Sequence, residues 1–191
     1  MTLPDALARP MRRDAVARRA ALIAAARACF ARAGYLVPLE EVAEAAGVGR
    51  GTLYRNFKDR MALALAIFED ELDRIGDRID TSLPLEKALA RVVMEGAGAA
   101  ALFARLAIDM PLDADNRAAF DQLRHRLERL LQPLADRAHA DGVLAPHLGA
   151  RELVLATRMA GGLKLSHLDE AQRLAQVEEA IGLVMGGLRP R

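Results

Sequence analysis

The stretch from Pro38 to Lys58 reads Pro-Leu-Glu-Glu-Val-Ala-Glu-Ala-Ala-Gly-Val-Gly-Arg-Gly-Thr-Leu-Tyr-Arg-Asn-Phe-Lys, and its punctuation leaves few ways to fold. Leu39, Val42, Ala43 and Ala46 fall at i, i+3, i+4 and i+7, the spacing of one helix face. Pro38 suits a first helical position, which needs no N–H. Gly47 ends that helix, as a residue free to take a positive φ. A second short helix runs from about Arg50 to Phe57, with Gly49 as a weak N-cap. Two helices crossing over so short a turn leave no room for a bulky side chain where they touch, and Ala43 is small. The spacing predicts a helix-turn-helix, whose second helix enters the major groove of DNA.

At about 100° per residue, Leu53 and Phe57 define the buried edge of the second helix. Gly51, Thr52 and Arg55 lie opposite, Tyr54 and Asn56 flank them, and Arg50 stands at the exposed tip. Gly51 removes a side chain where the helix backbone would approach a duplex. Arg50 and Arg55 can pair with guanine or with phosphate, and the Thr52 methyl can pack on a thymine methyl. Tyr54 and Asn56 can donate hydrogen bonds to phosphate.

Gly34-Tyr35, followed by Glu41-Val42-Ala43-Glu44-Ala45-Ala46-Gly47-Val48 and Gly51-Thr52-Leu53-Tyr54-Arg55-Asn56-Phe57, resembles the TetR family of transcriptional regulators over residues 13–68. The resemblance implies that the matching positions of the second helix face DNA. It also implies that Arg60, where Lys is commoner, holds a phosphate. Beyond this region only length and helix layout are similar. Two positions depart from the common pattern. Gly49 stands where many members have a hydroxyl residue, and Val37-Pro38 stands where many begin the first motif helix with Thr or Ser.

The net charge of +1 by itself points to no nucleic-acid partner, but its distribution does. Residues 1–60 hold 11 Lys/Arg against 6 Asp/Glu, a net of +5, and the remainder carries −4. A basic head on an acidic body is the electrostatic footprint of a DNA-binding domain. The expected division is therefore a head over 1–60, with a basic arm over 1–13, and a ligand-binding and dimerisation body over 61–191. The chain is rich in Ala and Leu and poor in aromatics. That composition favours an all-α fold, here of about nine helices. Cys29 is the single cysteine, so no intrachain disulfide is available, which fits a reducing cytoplasm. The N-terminus lacks an apolar signal segment, and no run approaches the ~18 apolar residues of a membrane helix. No membrane role is expected.

The arm holds Pro4, Arg9, Pro10, Arg12 and Arg13. It reads either as a contact to phosphate or the minor groove or as a solvated terminus. Helices are expected over 14–33, 59–79, 84–96, 99–109, 113–141, 150–164 and 169–188. Pro133 should kink or split its helix. The last two helices carry apolar stripes with Gly161, Gly162, Gly182, Gly186 and Gly187. Small residues on such faces allow close helix approach. The expectation is a four-helix homodimer interface, as the resemblance also implies; the alternative is tight packing within one chain.

No catalytic or metal-binding arrangement is found. The histidines at 125, 139, 147 and 167 show no metal-ligand spacing. Asp121 and His125, at i and i+4, read as a surface polar pair. No phosphate-cradling glycine loop or nucleophile elbow is present, and no cofactor is expected. Phe68, Met94, Phe103, Leu106, Met110, Phe120, Leu123 and Met159 are candidates to line a cavity for a small apolar or aromatic effector; the alternative is that they fill an ordinary core. The expected function is a non-enzymatic, ligand-responsive repressor binding a palindromic operator as a homodimer. The rival reading is a helical dimerisation or adaptor protein without sequence-specific DNA binding.

Overall fold

The computed structural model describes residues 4–96, 114–161 and 168–187 and is all-α. Eight helices are present among the described residues: α1 (Pro4–Ala33), α2 (Leu39–Ala45), α3 (Arg50–Asn56), α4 (Arg60–Arg78), α5 (85–96), α6 (Ala114–Ala140), α7 (Ala150–Gly161) and α8 (Glu170–Gly186). The helix expected over 99–109 lies outside the described residues. The chain forms two compact units, Met1–Asp70 and Glu71–Arg191. The boundary between the units lies within α4, and Met61, Leu63, Ala64 and Ile67 of the N-terminal unit are buried.

In the N-terminal unit, α1 supplies Leu22, Ile23, Ala26, Cys29 and Phe30 to the core. It is longer than expected. The segment over 4–13 continues the helix as far back as Pro4, because Ala6, Leu7, Ala8 and Met11 are good helix formers. α2 and α3 are each seven residues long. Such short helices do not persist alone, so packing must hold them. Val42 and Ala43 bury α2, and Leu53 buries α3. Gly47, at φ 67°, makes the corner between them. Its N–H donates to Glu44 O and that of Val48 to Ala43 O, at 2.9 and 3.0 Å. This is the Schellman closure, which the left-handed region permits to glycine at little cost.

In the C-terminal unit, Leu89 of α5, Leu131 and Leu134 of α6, Leu153 of α7 and Ile181 and Met185 of α8 form one core. Gly76 lets the unit close: a Cβ there would lie 3.1 Å from Leu130 Cδ2. Pro133 does not split its helix, which is continuous from Ala114 to Ala140. The neighbours Leu131, Leu134 and Ala135 are almost wholly buried, and that packing offsets the missing hydrogen bond. Asp169 starts α8 with a capping box, its side chain accepting from Gln172 N while Gln172 accepts from Asp169 N. Among the described residues, no helix is long and apolar enough to cross a membrane, and no three His, Cys, Asp or Glu side chains are grouped to hold a metal. Asp121 turns to Arg124, 3.5 Å away, and the Arg124 guanidinium lies 3.2 Å from the His125 ring.

Candidate nucleic-acid interface

Two side chains aim α3. Leu53 is 1% exposed and Phe57, just past its end, 3%. The Arg19 guanidinium stands 5.1 Å from the centre of the Phe57 ring and covers it from α1. With that edge pinned, the helical repeat turns the rest outward. Gly51, Tyr54 and Arg55 are exposed, while Thr52 and Asn56 are partly covered. Arg55 Nη2 donates to Thr52 Oγ1 at 3.1 Å, and Asn56 Nδ2 donates to the Thr52 carbonyl at 2.7 Å. The outer face is thus a small ordered array of donors around a bare stretch of backbone. Apart from the backbone of its own helix and its chain neighbours, no described atom lies within 4 Å of where a Gly51 Cβ would be.

Arg50 is not free. Its Nη2 lies 2.6 Å from Glu40 Oε1 of α2, and both side chains are largely exposed. An exposed pair of this kind contributes little to stability. Its consequence is for binding, because a phosphate or base must compete with the carboxylate for the guanidinium. Glu40→Gln is therefore expected to leave the melting temperature unchanged. It should tighten binding to a random-sequence duplex by roughly threefold at ~0.1 M salt, with Arg50 released and one anionic charge removed. Fluorescence anisotropy reads this directly, and unchanged or weaker binding would show that Glu40 does not restrain Arg50.

Arg60 is also engaged within the chain. Its guanidinium turns inward. Nη1 donates to the main-chain carbonyls of Tyr35 and Val37, and the carbon of the guanidinium lies 5.4 Å from the centre of the Tyr35 ring. Tyr35 is 3% exposed. Burial pushes its phenol up from the usual range, Arg60 working against that rise and Asp59 adding to it. Nothing in helical periodicity marks these contacts, since Arg60 and Tyr35 belong to different elements.

The candidate effector residues that are described fall in different surroundings. Phe68 is buried in the N-terminal unit. Phe103, Leu106 and Met110 lie outside the described residues. Met159 points outward, 59% exposed, and Phe120 is partly exposed. Leu123 packs against the C-terminal core. Met94 alone among the described candidates borders a cleft of about 440 Å³. Ile75, Ile79, Val92 and Leu174 line it with Met94, as do Arg78, Asp80, Arg91, Glu95 and Glu170. Arg78 Nη1 donates to Glu95 Oε2 at 2.6 Å. Hydrogen bonds from Ser82, with Arg91 and Arg137 nearby, hold the Asp80 carboxyl below its usual range.

Residues 22–67 match the model of the bacterial regulatory proteins of the tetR family. The TetR transcriptional regulator SCO0520 of Streptomyces coelicolor is 32% identical, with 90% of this chain and 98% of that one covered and a TM-score of 0.51. GusR of Salmonella enterica is 20% identical at a TM-score of 0.66, covering 90% of this chain and 95% of its own. FadR of Bacillus subtilis, solved in complex with stearoyl-CoA, is 18% identical at a TM-score of 0.67, covering 88% and 98%. No curated protein matches the sequence.

Proposed function

The chain belongs to the TetR family of bacterial regulatory proteins, and from that membership we propose that it is a ligand-responsive repressor gripping a palindromic operator as a homodimer. As a member it is a DNA-binding transcriptional regulator with a helix-turn-helix head. The observation that carries the finer reading is the outer face of α3. Gly51, Tyr54 and Arg55 stand in the open, and Thr52 and Arg55 are tied to each other. A helix presenting bare backbone flanked by donors fits a major groove, where Arg55 reads guanine, the Thr52 methyl meets thymine, and Tyr54 and Asn56 anchor phosphate. Two copies place two such helices on half-sites about one helical turn apart, ~34–36 Å or a multiple.

Outward residues of α7 and α8 supply the dimer contact. Leu155 and Met159 of α7 and Leu183 of α8 are exposed. Apart from the backbone of their own helix and their chain neighbours, no described atom lies within 4 Å of a Cβ built on Gly182 or Gly186. Gly161 differs, since a Cβ there would meet Val93 at 3.8 Å, an ordinary contact within the chain. The effector is a small molecule with a substantial apolar part. The volume of the cleft, about 440 Å³, is within the usual range of ligand pockets, roughly 300–1,000 Å³, and Ile75, Ile79, Val92, Met94 and Leu174 give it an apolar wall beside its charged groups. FadR, which shares the fold, holds stearoyl-CoA. For the effector to release DNA it must bind the two spacings of the heads with different affinity.

The decisive experiment is selection of duplexes by the purified protein from a random pool, followed by a salt titration on the selected sequence. The expected result is a near-palindrome and a steep linear fall of log K with log salt. No enrichment, with a flat salt dependence, would favour an adaptor that has lost DNA binding.

A further inference from the structure

The commonest role for a cation at the first turn of α4 would be to hold a phosphate, yet Arg60 spends its guanidinium on its own chain. Resting on the DNA-binding reading above, we propose that Arg60 is a positioning residue that sets the recognition helix through the α1–α2 corner, and that it does not contact the duplex. The corner runs from Gly34, at φ 87°, to Pro38, which precedes α2. Tyr35 and Val37 are buried there, at 3% and 5% exposure. Buried carbonyls need donors. The carbonyls of Tyr35 and Val37 both receive Arg60 Nη1, while the guanidinium packs over the Tyr35 ring.

These contacts matter to α3 because α2 has no side-chain cap at its start. The entry angle of α2 is set by the corner, and Gly47 passes it on to α3. A planar, forked cation that both hydrogen-bonds and stacks is not replaced by an ammonium. Removing the brace leaves the two carbonyls without their donor and lets the α2–α3 pair shift against α1. The effect falls on geometry, so it should damage recognition of a particular sequence more than attraction to any duplex.

Counterion release separates this from a phosphate contact. A residue that neutralises one phosphate adds ~0.9 to the magnitude of the slope of log K against log salt, and its removal takes that increment away. Removal of a brace leaves the slope alone. The test uses the full-length protein, the duplex it selects from a random pool, and a random-sequence duplex, at a temperature where circular dichroism shows each variant folded. Arg60→Met is expected to weaken binding to the selected duplex at least tenfold, to change random-duplex binding less than threefold, and to keep the wild-type slope. Arg60→Lys, which keeps the charge and serves if the Met variant does not fold, is expected to lose at least threefold on the selected duplex, again at unchanged slope. A slope lower by about one in Arg60→Met, or an Arg60→Lys that binds as wild type does, overturns the proposal. If the wild type enriches no sequence, it is the repressor reading that fails, and random-duplex slopes of wild type and Arg60→Met still decide whether Arg60 meets phosphate.

Discussion

Leu183→Glu is expected to turn the protein into a monomer in solution and to remove high-affinity operator binding with it. On α8 the residues Val177, Ile181 and Met185 face the core and are buried. Leu183 is 77% exposed, and a Cβ built on Gly182 or Gly186 beside it would meet open space among the described residues. A glycine inside a helix costs about 1 kcal/mol against alanine, and no described side chain lies where a Cβ on Gly182 would stand. Close approach of a second helix in the proposed dimer would offset that cost. In a two-fold interface each substitution occurs twice, so Leu183→Glu buries two carboxylates. Desolvating an unpaired charge costs several kcal/mol. The dimer dissociation constant should rise at least a thousandfold, about 4 kcal/mol, as sedimentation equilibrium would read. One head without its tethered partner loses the effective concentration that the second supplied, so operator affinity should fall at least a hundredfold. The variant's helix content should be retained, since Leu183 is so little covered by its own chain. A dimer of wild-type strength would show that this face is not the interface.

What is legible in the sequence divides along a physical line. The helix-turn-helix is readable nearly to the residue because its limits are local: Gly47 takes the left-handed turn, and Leu53 and Phe57 are one helical repeat apart. The basic, proline-bearing start reads as an arm, yet α1 extends back to Pro4. Pro10 and Pro133 each lie within a continuous helix, where packing or the propensity of neighbours outweighs one missing hydrogen bond. The pairings of Arg50 with Glu40 and of Arg60 with the Tyr35 and Val37 carbonyls join separate elements, and no periodicity reports them. Phe68 follows residue 60 and so reads as part of the body, but it is a buried residue of the N-terminal unit. Met159 stands on the exposed side of its helix. Leu153, Thr157 and Ala160 define the buried stripe of α7, and Leu155 and Met159 form a second one that faces away.

Replacing Gly51 should move stability and DNA binding in opposite directions. Gly51 lies in the first turn of α3, exposed, and apart from its own helix backbone and chain neighbours no described atom lies within 4 Å of where its Cβ would stand. Alanine therefore fits without strain, and helix propensity predicts a gain of about 0.5–1 kcal/mol. For a chain of this size that is a rise of roughly 1–4 °C in Tm. Leucine should also be tolerated, since its side chain has open space ahead of it. On DNA the outcome reverses. If the backbone of α3 lies against the base edges, a leucine occupies the volume of the duplex itself. Gly51→Leu should then weaken binding to the selected duplex at least a hundredfold, about 2.7 kcal/mol, with Gly51→Ala in between. Differential scanning calorimetry and anisotropy on the same preparations make the comparison. Operator binding within threefold of wild type for Gly51→Leu would mean that another face of the head meets DNA. A glycine kept for folding would lose stability when replaced; one kept for a close approach loses only its partner.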